Sequence, residues 1–353
     1  MAGGLPSLVR GALIATVAAC SAPATLSELS VAEARADAGD TEGALAAYRA
    51  AQARCGALRP ARRARAACSD ALLGEAEVLE RAGRTPAAIT AYADIPRRAP
   101  DDPTTSAIAL HRAGGLALAA GDATGAWTAL WRVVTDYPDE PSAGDALRTL
   151  LTDGRGRDPR ALADQLAQLL TPLAETTVAD NLLWALADLT EHELGNPAAA
   201  RGYHDRIPVD HPGSGLRDDA RWHAARLSRA LGDPRGAVDR LRALLRTREV
   251  ALGAGSYFSV WLDDAQLELG RVLRDDLGDL PGALAAFARL PEDYPASILR
   301  YDALFEAART HARAGDRAAA CATLARLAAQ APDSKYVARR AEIVAPLRGG
   351  ACP

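Results

Sequence analysis

The chain has 353 residues, of which 49% are hydrophobic and only 5% aromatic, so it can bury a large core that small aliphatic side chains must fill. Its 41 basic and 45 acidic residues leave a net charge of −4, and no long block of one sign occurs, which argues against general binding of nucleic acid through phosphate neutralisation. The sequence contains no phosphate-loop, serine-hydrolase or dinucleotide-binding motif, so we predict no catalytic residue and no cofactor.

The N-terminal segment has the layout of a secretion signal. In MAGGLPSLVRGALIATVAAC, Arg10 precedes an apolar run about half as long as the roughly 20 residues needed to span a bilayer. The letters VAAC, ending at Cys20, resemble the lipobox of bacterial lipoproteins, in which the cysteine is lipidated and becomes the mature N-terminus. The resemblance implies a signal peptide over 1–19, a lipidated linker over 20–25 and, from Ser21, transport to the outer membrane. The alternatives are an ordinary cleaved signal or an alanine-rich helix with a free cysteine.

A repeat built on glycine, alanine and a usually bulky residue follows this segment. The alanine comes five residues after the glycine, and the usually bulky residue comes nine after it. The alanine and the bulky residue are therefore four positions apart and share one face of a helix. The glycines are Gly39, Gly83, Gly121, Gly195, Gly232, Gly278 and Gly315. The alanines are Ala44, Ala88, Ala126, Ala200, Ala237, Ala283 and Ala320, and the third residues are Tyr48, Tyr92, Leu130, His204, Leu241, Phe287 and Leu324. We expect the alanine to let two helices approach and the larger side chain to fill the space beside them.

The residues around each glycine predict a helical hairpin. The glycine can adopt the left-handed conformation that ends a first helix. Asp233-Pro234, Asn196-Pro197 and Thr85-Pro86 then place a capping side chain before a proline in the first turn of a second helix. In five units a proline stands 17 residues after the glycine, at positions 100, 138, 212, 295 and 332, and disfavours helix at the residue before it.

The hairpin pattern resembles the tetratricopeptide repeat. The resemblance covers residues 26–348 and implies an all-α solenoid of about eight helix pairs and a final helix near 335–347, followed by a tail over 349–353. One unit, near 142–175, is degenerate, with Gly156 followed by Ala161, and the Gly232 unit lacks its closing proline. The phrases DYPDEPSAGDAL, DHPGSGLRDDARW and DYPASILRYDALF are similar in style to the outer-membrane β-barrel assembly lipoprotein and the Tol-Pal coordinator family.

Four cysteines remain once Cys20 is set aside, and an exported protein lives where disulfides persist. Three pairings can be formed. We favour Cys55 with Cys68, which would join one repeat to the next, and Cys321 with Cys352, which would hold the C-terminal tail. Free thiols, or an intermolecular bond through Cys352, are the alternatives.

A solenoid of this kind binds partners on the face formed by the first helix of each pair, and offsets from the turn glycine predict which side chains reach it. Arginine and aromatic residues together are typical of binding surfaces. The alternative is that the aromatic residues belong to the core between repeats. The predicted groove residues are Asp219, Trp222, Arg226 and Arg229 before Gly232, and Asp302, Phe305, Arg309 and Arg313 before Gly315.

These features favour a non-catalytic scaffold or adaptor, anchored by lipid on the periplasmic side of the outer membrane, that holds protein or peptide segments of the cell envelope. The histidines are scattered, so no metal site is predicted. A soluble periplasmic ligand carrier and a helical support for a cell-wall hydrolase are the competing hypotheses.

Overall fold

A computed structural model describes residues 24–55, 62–154, 156–246, 259–346 and 352. Within these residues the secondary structure is entirely helical, with no β-strand, as predicted. The helices are α1 (Ala24–Asp37), α2 (Thr41–Cys55), α3 (Arg62–Arg81), α4 (Thr85–Arg98), α5 (Pro103–Ala119), α6 (Ala123–Asp136), α7 (Pro141–Gly154), α8 (Pro159–Leu169), α9 (Ala179–His192), α10 (Pro197–Asp210), α11 (Arg217–Ala230), α12 (Pro234–Arg246), α13 (Leu262–Asp275), α14 (Leu280–Asp293), α15 (Arg300–Arg313), α16 (Arg317–Gln330), α17 (Lys335–Ala338) and α18 (Ala341–Val344).

The chain divides inside α6 into two compact units, residues 1–129 and 130–353. In the N-terminal unit α1 packs on α2, α2 on α3, α3 on α4 and α4 on α5. In the C-terminal unit the same neighbour-to-neighbour packing runs from α7 to α16, so each helix contacts the helices before and after it. This is the consecutive helical-hairpin packing of an α-solenoid, and the eight predicted pairs are α1–α2 through α15–α16.

The hairpin turns form as the glycine spacing predicts. All seven turn glycines have a positive φ, between 61° and 83°, and no other described residue does. Glycine adopts this conformation without the steric penalty of a Cβ, which is how it ends the first helix of a pair. The next residue caps the second helix: in six turns an Asp or Asn carboxyl or amide oxygen accepts the backbone N–H three residues on, at 2.9 to 3.1 Å.

One predicted cap is wrong. Helix α4 begins at Thr85, and the residue before it, Arg84, makes no side-chain cap. The capping position is the residue directly after the turn glycine, and the guanidinium of an arginine has no acceptor to offer the helix. Thr85 is therefore the first residue of the helix and not its cap.

The repeated alanines form the contacts between helices. Each of the seven is fully buried at 0% exposure, and the residues four positions later are at most 7% exposed. In the degenerate unit, Ala161 is exposed, and Leu162 and Leu166 face the core in its place. The alignment of Gly156 with the turn glycines was therefore wrong by one position on α8. Asp158, two residues after Gly156, caps this helix instead.

The helix ends follow the prolines. Helices α4, α6, α10, α14 and α16 each end two residues before the closing proline of their unit. The predicted final helix is divided into α17 and α18, which together span Lys335–Val344. The residues that follow α12, where the closing proline is missing, lie outside the described residues.

Both favoured disulfides are present in the structure. Cys55 at the end of α2 is bonded to Cys68 in α3, and Cys321 in α16 is bonded to Cys352. The predicted signal peptide and Cys20 lie outside the described residues. Among the helices that the structure describes, none has both the length and the apolar character to cross a membrane.

Candidate functional site

The first four predicted groove residues lie on α11, and most of them form contacts with other residues of the protein. The carboxylate of Asp219 accepts a hydrogen bond of 2.6 Å from the indole Nε1 of Trp261. Trp222 stacks on the same indole, with ring centroids 5.1 Å apart and planes 13° from parallel. Arg229 is paired with Glu268 at 2.6 Å. These contacts hold α11 against α13 and the residue that precedes it.

Arg226 differs from its neighbours on α11, because it is exposed and forms no ion pair with a described residue. Trp222 is half-buried, so part of its indole also reaches the surface. Asp219 and Arg229 are half-buried as well, so Arg226 is the one of the four residues predicted on α11 that is exposed.

The other four predicted residues lie on α15, and the structure corrects Phe305. Its ring is only 2% exposed and stacks on Tyr336 at a centroid distance of 4.6 Å. Phe305 is therefore a core residue, because the segment after α16 folds back and covers it. The Tyr336 hydroxyl also donates a hydrogen bond to Asp302. Arg309 is paired with Glu306 at 3.1 Å and Arg313 with Asp275 at 3.3 Å.

A cleft of about 920 Å³ lies on the corresponding face of the N-terminal unit. Its walls come mainly from first helices, namely α1, α3 and α5, with Tyr48 reaching in from α2. The charged lining consists of five carboxylates and two guanidinium groups: Glu33, Asp37, Asp70, Glu77, Glu80, Arg81 and Arg112. The cleft therefore carries an excess of negative charge.

Most of these carboxylates are not neutralised within the protein. Glu80 is occupied, since it accepts a hydrogen bond of 2.6 Å from Tyr92 and lies 3.5 Å from Arg112. The other four form no ion pair with any described residue: Glu33, Asp37, Asp70 and Glu77. Burial raises the pKa of Tyr48 in the floor of the cleft, and the charge of Glu33 raises it further. The cleft thus presents unpaired negative charge over an aromatic floor.

The sequence contained the signal for this cleft. Glu33 and Glu77 lie six residues before their turn glycines, the same offset as Arg226 and Arg309 in the C-terminal unit. Asp70 lies 13 residues before its glycine, as do Asp219 and Asp302. Applying the same offsets to the first two repeats would have identified the acidic lining.

One cluster of side chains that could bind a metal ion was not predicted from the sequence. Glu191 of α9, His204 of α10 and His223 of α11 each offer a ligand atom, and these atoms all lie within 4.8 Å of one another. The residues are far apart along the chain, so only the packing of three successive helices shows that they meet.

The comparisons with known proteins give fold likenesses of low identity. The crystal structure of PilW, a type IV pilus biogenesis factor, shares 16% identity over 77% of this chain and 97% of its own, with a TM-score of 0.36. YrrB, a tetratricopeptide protein described as having an unusual peptide-binding site, shares 16% over 60% and 97%, with a TM-score of 0.39. A tetratricopeptide repeat protein from Parabacteroides merdae shares 12% over 90% and 98%, with a TM-score of 0.29. These likenesses are too distant to indicate what this chain binds.

No curated protein matches the sequence. The family model for the tetratricopeptide repeat matches two adjoining segments, residues 264–297 and 302–334. These segments contain the hairpins α13–α14 and α15–α16. The C-terminal unit therefore contains tetratricopeptide repeats.

Proposed function

We propose that the protein is a non-catalytic docking scaffold, and that the acidic cleft of its N-terminal unit holds extended, basic peptide segments of cell-envelope proteins. The observation that carries this proposal is the cleft itself, in which five carboxylates and two guanidinium groups line a space of about 920 Å³. Tetratricopeptide repeats and the fold support an interaction role in general, and the charge of the cleft indicates the chemistry of the partner.

The cleft can supply both attraction and contact area. Unpaired carboxylates attract a cationic segment and set its orientation. Leu73 is half-buried and supplies apolar surface beside these charges, against which the stems of arginine or lysine side chains can pack. The lining comes from packed helices that need little rearrangement, so a flexible segment would provide most of the ordering on binding.

The test is fluorescence anisotropy of a labelled eight-residue peptide that alternates arginine and alanine, with a glutamate-for-arginine peptide as its counterpart. We expect binding of the basic peptide only, weakening as salt is added. Exposed charge pairs contribute about 0.2–1 kcal/mol each, so Glu33→Gln with Glu77→Gln should weaken binding about two- to thirtyfold. The matched control is Asp164→Asn with Glu292→Gln, which makes the same charge change at exposed positions outside the cleft. Equal binding of the two peptides, or an equal effect of the two double variants, would refute the proposal.

We also propose a lipid anchor at Cys20, placing the scaffold on the periplasmic side of the outer membrane. The support is the signal-like N-terminal sequence ending in VAAC. Intact mass of the protein extracted from native membranes, beside the Cys20→Ala variant, tests the anchor. We expect a chain cleaved before Cys20 and carrying acyl groups, and an unmodified variant. An unmodified Cys20 in the unaltered protein would remove the anchor and leave the cleft proposal standing.

A further inference from the structure

His204 is an exception within its repeat. It stands nine residues after Gly195, at the position that the other six aligned units fill with tyrosine, leucine or phenylalanine. Its side chain is as buried as theirs, at 2% exposure, but its Nδ1 atom is buried without a hydrogen-bond partner. An unsatisfied polar atom in a core is destabilising, so a histidine here calls for a reason other than packing.

The surroundings of His204 contain ligands of the right kind. The ring of His223 stacks on it at a centroid distance of 5.2 Å, and Trp184 meets both rings edge-on at 5.0 and 5.3 Å. Glu191 brings a carboxylate oxygen to the same place, and the three ligand atoms lie within 4.8 Å of one another. Trp184 thus forms an apolar wall beside a group of two imidazoles and one carboxylate.

We propose that Glu191, His204 and His223 bind one divalent first-row transition-metal ion, with Zn²⁺ the ion that suits two imidazoles and a carboxylate best. Such a ligand set leaves one or more positions for water or for a side chain of a bound partner. Because α9, α10 and α11 contribute one ligand each, the ion ties together two successive hairpins of the C-terminal unit. This site is independent of the acidic cleft.

The ligand atoms need to approach one another by at most about 1.5 Å to bind one ion. Zinc bonds to nitrogen and oxygen of about 2.0–2.2 Å place tetrahedral ligand atoms about 3.3 Å apart, and the three atoms lie within 4.8 Å of one another. His223 is half-buried and therefore less confined than the buried His204. Its neighbour Asp219 favours a cation nearby, whereas Arg226 opposes one.

Burial disfavours the charged form of both imidazoles, since it lowers the pKa of His204 to about 3 and lowers the pKa of His223 as well.

The test uses the untagged full chain with Cys20→Ser, which removes a competing thiolate ligand. Equilibrium dialysis with Zn²⁺ should give one tightly bound equivalent, and Co²⁺ should give an absorption band of low-coordinate cobalt. Glu191→Gln and His223→Asn should each weaken Zn²⁺ binding by about tenfold or more, since loss of a direct ligand exceeds the effect of losing an outer-shell partner. His211→Asn, which changes a histidine outside the cluster, should bind as the parent does.

His204→Leu is the decisive variant. Leucine occupies the equivalent position in three other repeats, so this variant should fold, melt without metal at least as high as the parent, and lose Zn²⁺ binding. Absence of stoichiometric binding in the parent would overturn the proposal. So would binding that survives unchanged in the folded His204→Leu variant, because the ion would then reside elsewhere.

Discussion

Gly270, in the middle of α13, is predicted to be a position where alanine destabilises the protein although it favours helix. A Cβ at this residue would lie 2.4 Å from Cε1 of Phe287 and 2.7 Å from its Cδ1 and Cζ. Carbon atoms normally approach to about 3.5–4.0 Å, so the ring would have to move by about 1 Å. Phe287 is 1% exposed, and the guanidinium of the buried Arg274 lies 5.7 Å from its ring centroid, which leaves little room for that movement.

Two opposing effects set the size of the change. Overpacking a core costs about 1–3 kcal/mol, and a clash this close belongs at the upper end. Replacing glycine by alanine inside a helix contributes about 1 kcal/mol in the other direction. Gly270→Ala should therefore lower the stability by about 2 kcal/mol. Gly202→Ala is the matched control, since Gly202 is also inside a helix but has nothing within 4 Å of the added Cβ, and it should gain about 1 kcal/mol.

The measurement is urea unfolding of the two variants and the parent followed by far-UV circular dichroism. With a slope of about 2–3 kcal/mol per molar urea, the midpoint of Gly270→Ala should fall by about 0.7–1 M while that of Gly202→Ala rises. Adding Phe287→Leu to Gly270→Ala should recover part of the loss, since leucine fills this position in other repeats. A midpoint for Gly270→Ala at or above that of Gly202→Ala would show that the reasoning is wrong.

Three further predictions concern buried contacts. Arg274→Ala should lower the free energy of unfolding by about 3 kcal/mol, measured in urea. Arg274 is 3% exposed and its Nη1 lies 2.5 Å from the Glu306 carboxylate, which would lose its nearest partner. A change below about 1 kcal/mol would contradict this. Replacing Cys55 and Cys68 by alanine should lower the free energy of unfolding by about 3 kcal/mol. Reduction of the parent should lower its melting temperature, and an unchanged melting temperature would argue against the disulfide. Burial raises the pKa of Tyr92 above its ordinary value of 10.0, so the unfolded chain loses the hydroxyl proton at a lower pH than the folded chain. The free energy of unfolding should therefore fall as the pH rises past 10.0, and it should fall less in Tyr92→Phe. Identical alkaline stability profiles of the parent and the variant would refute this prediction.

The hairpins could be predicted from the sequence because their determinants are local. A glycine that needs a positive φ, an acceptor directly after it and a proline near the end of the second helix each act within a few residues. Thr85 shows the limit of such rules. The threonine is a good capping residue, but it stands one position too late, and Arg84 occupies the position that matters.

The groove residues were harder to predict because their environment is set by chain segments far away. An offset from the turn glycine identifies a face of a first helix, but it does not say what covers that face. Phe305 is buried because Tyr336, 31 residues later in the sequence, stacks on it. Asp219 is occupied by Trp261, 42 residues away. The metal-ligand cluster was missed for the same reason, since its three members meet only when α9, α10 and α11 pack together.

The repeat separates what the fold requires from what the surface can vary. The turn glycines and the buried alanines are kept in every aligned unit, since a change at these positions would disturb the backbone or the contact between helices. The position six residues before the glycine varies, being Gly115, Leu189 and Val272 in three of the units. It is glutamate in the first two repeats, at Glu33 and Glu77, and arginine at Arg226 and Arg309. One backbone can therefore present opposite charges on equivalent faces of its two units. For this reason, a basic partner segment should bind the acidic cleft of the N-terminal unit. The positive charge of such a segment should disfavour binding beside Arg226 in the C-terminal unit.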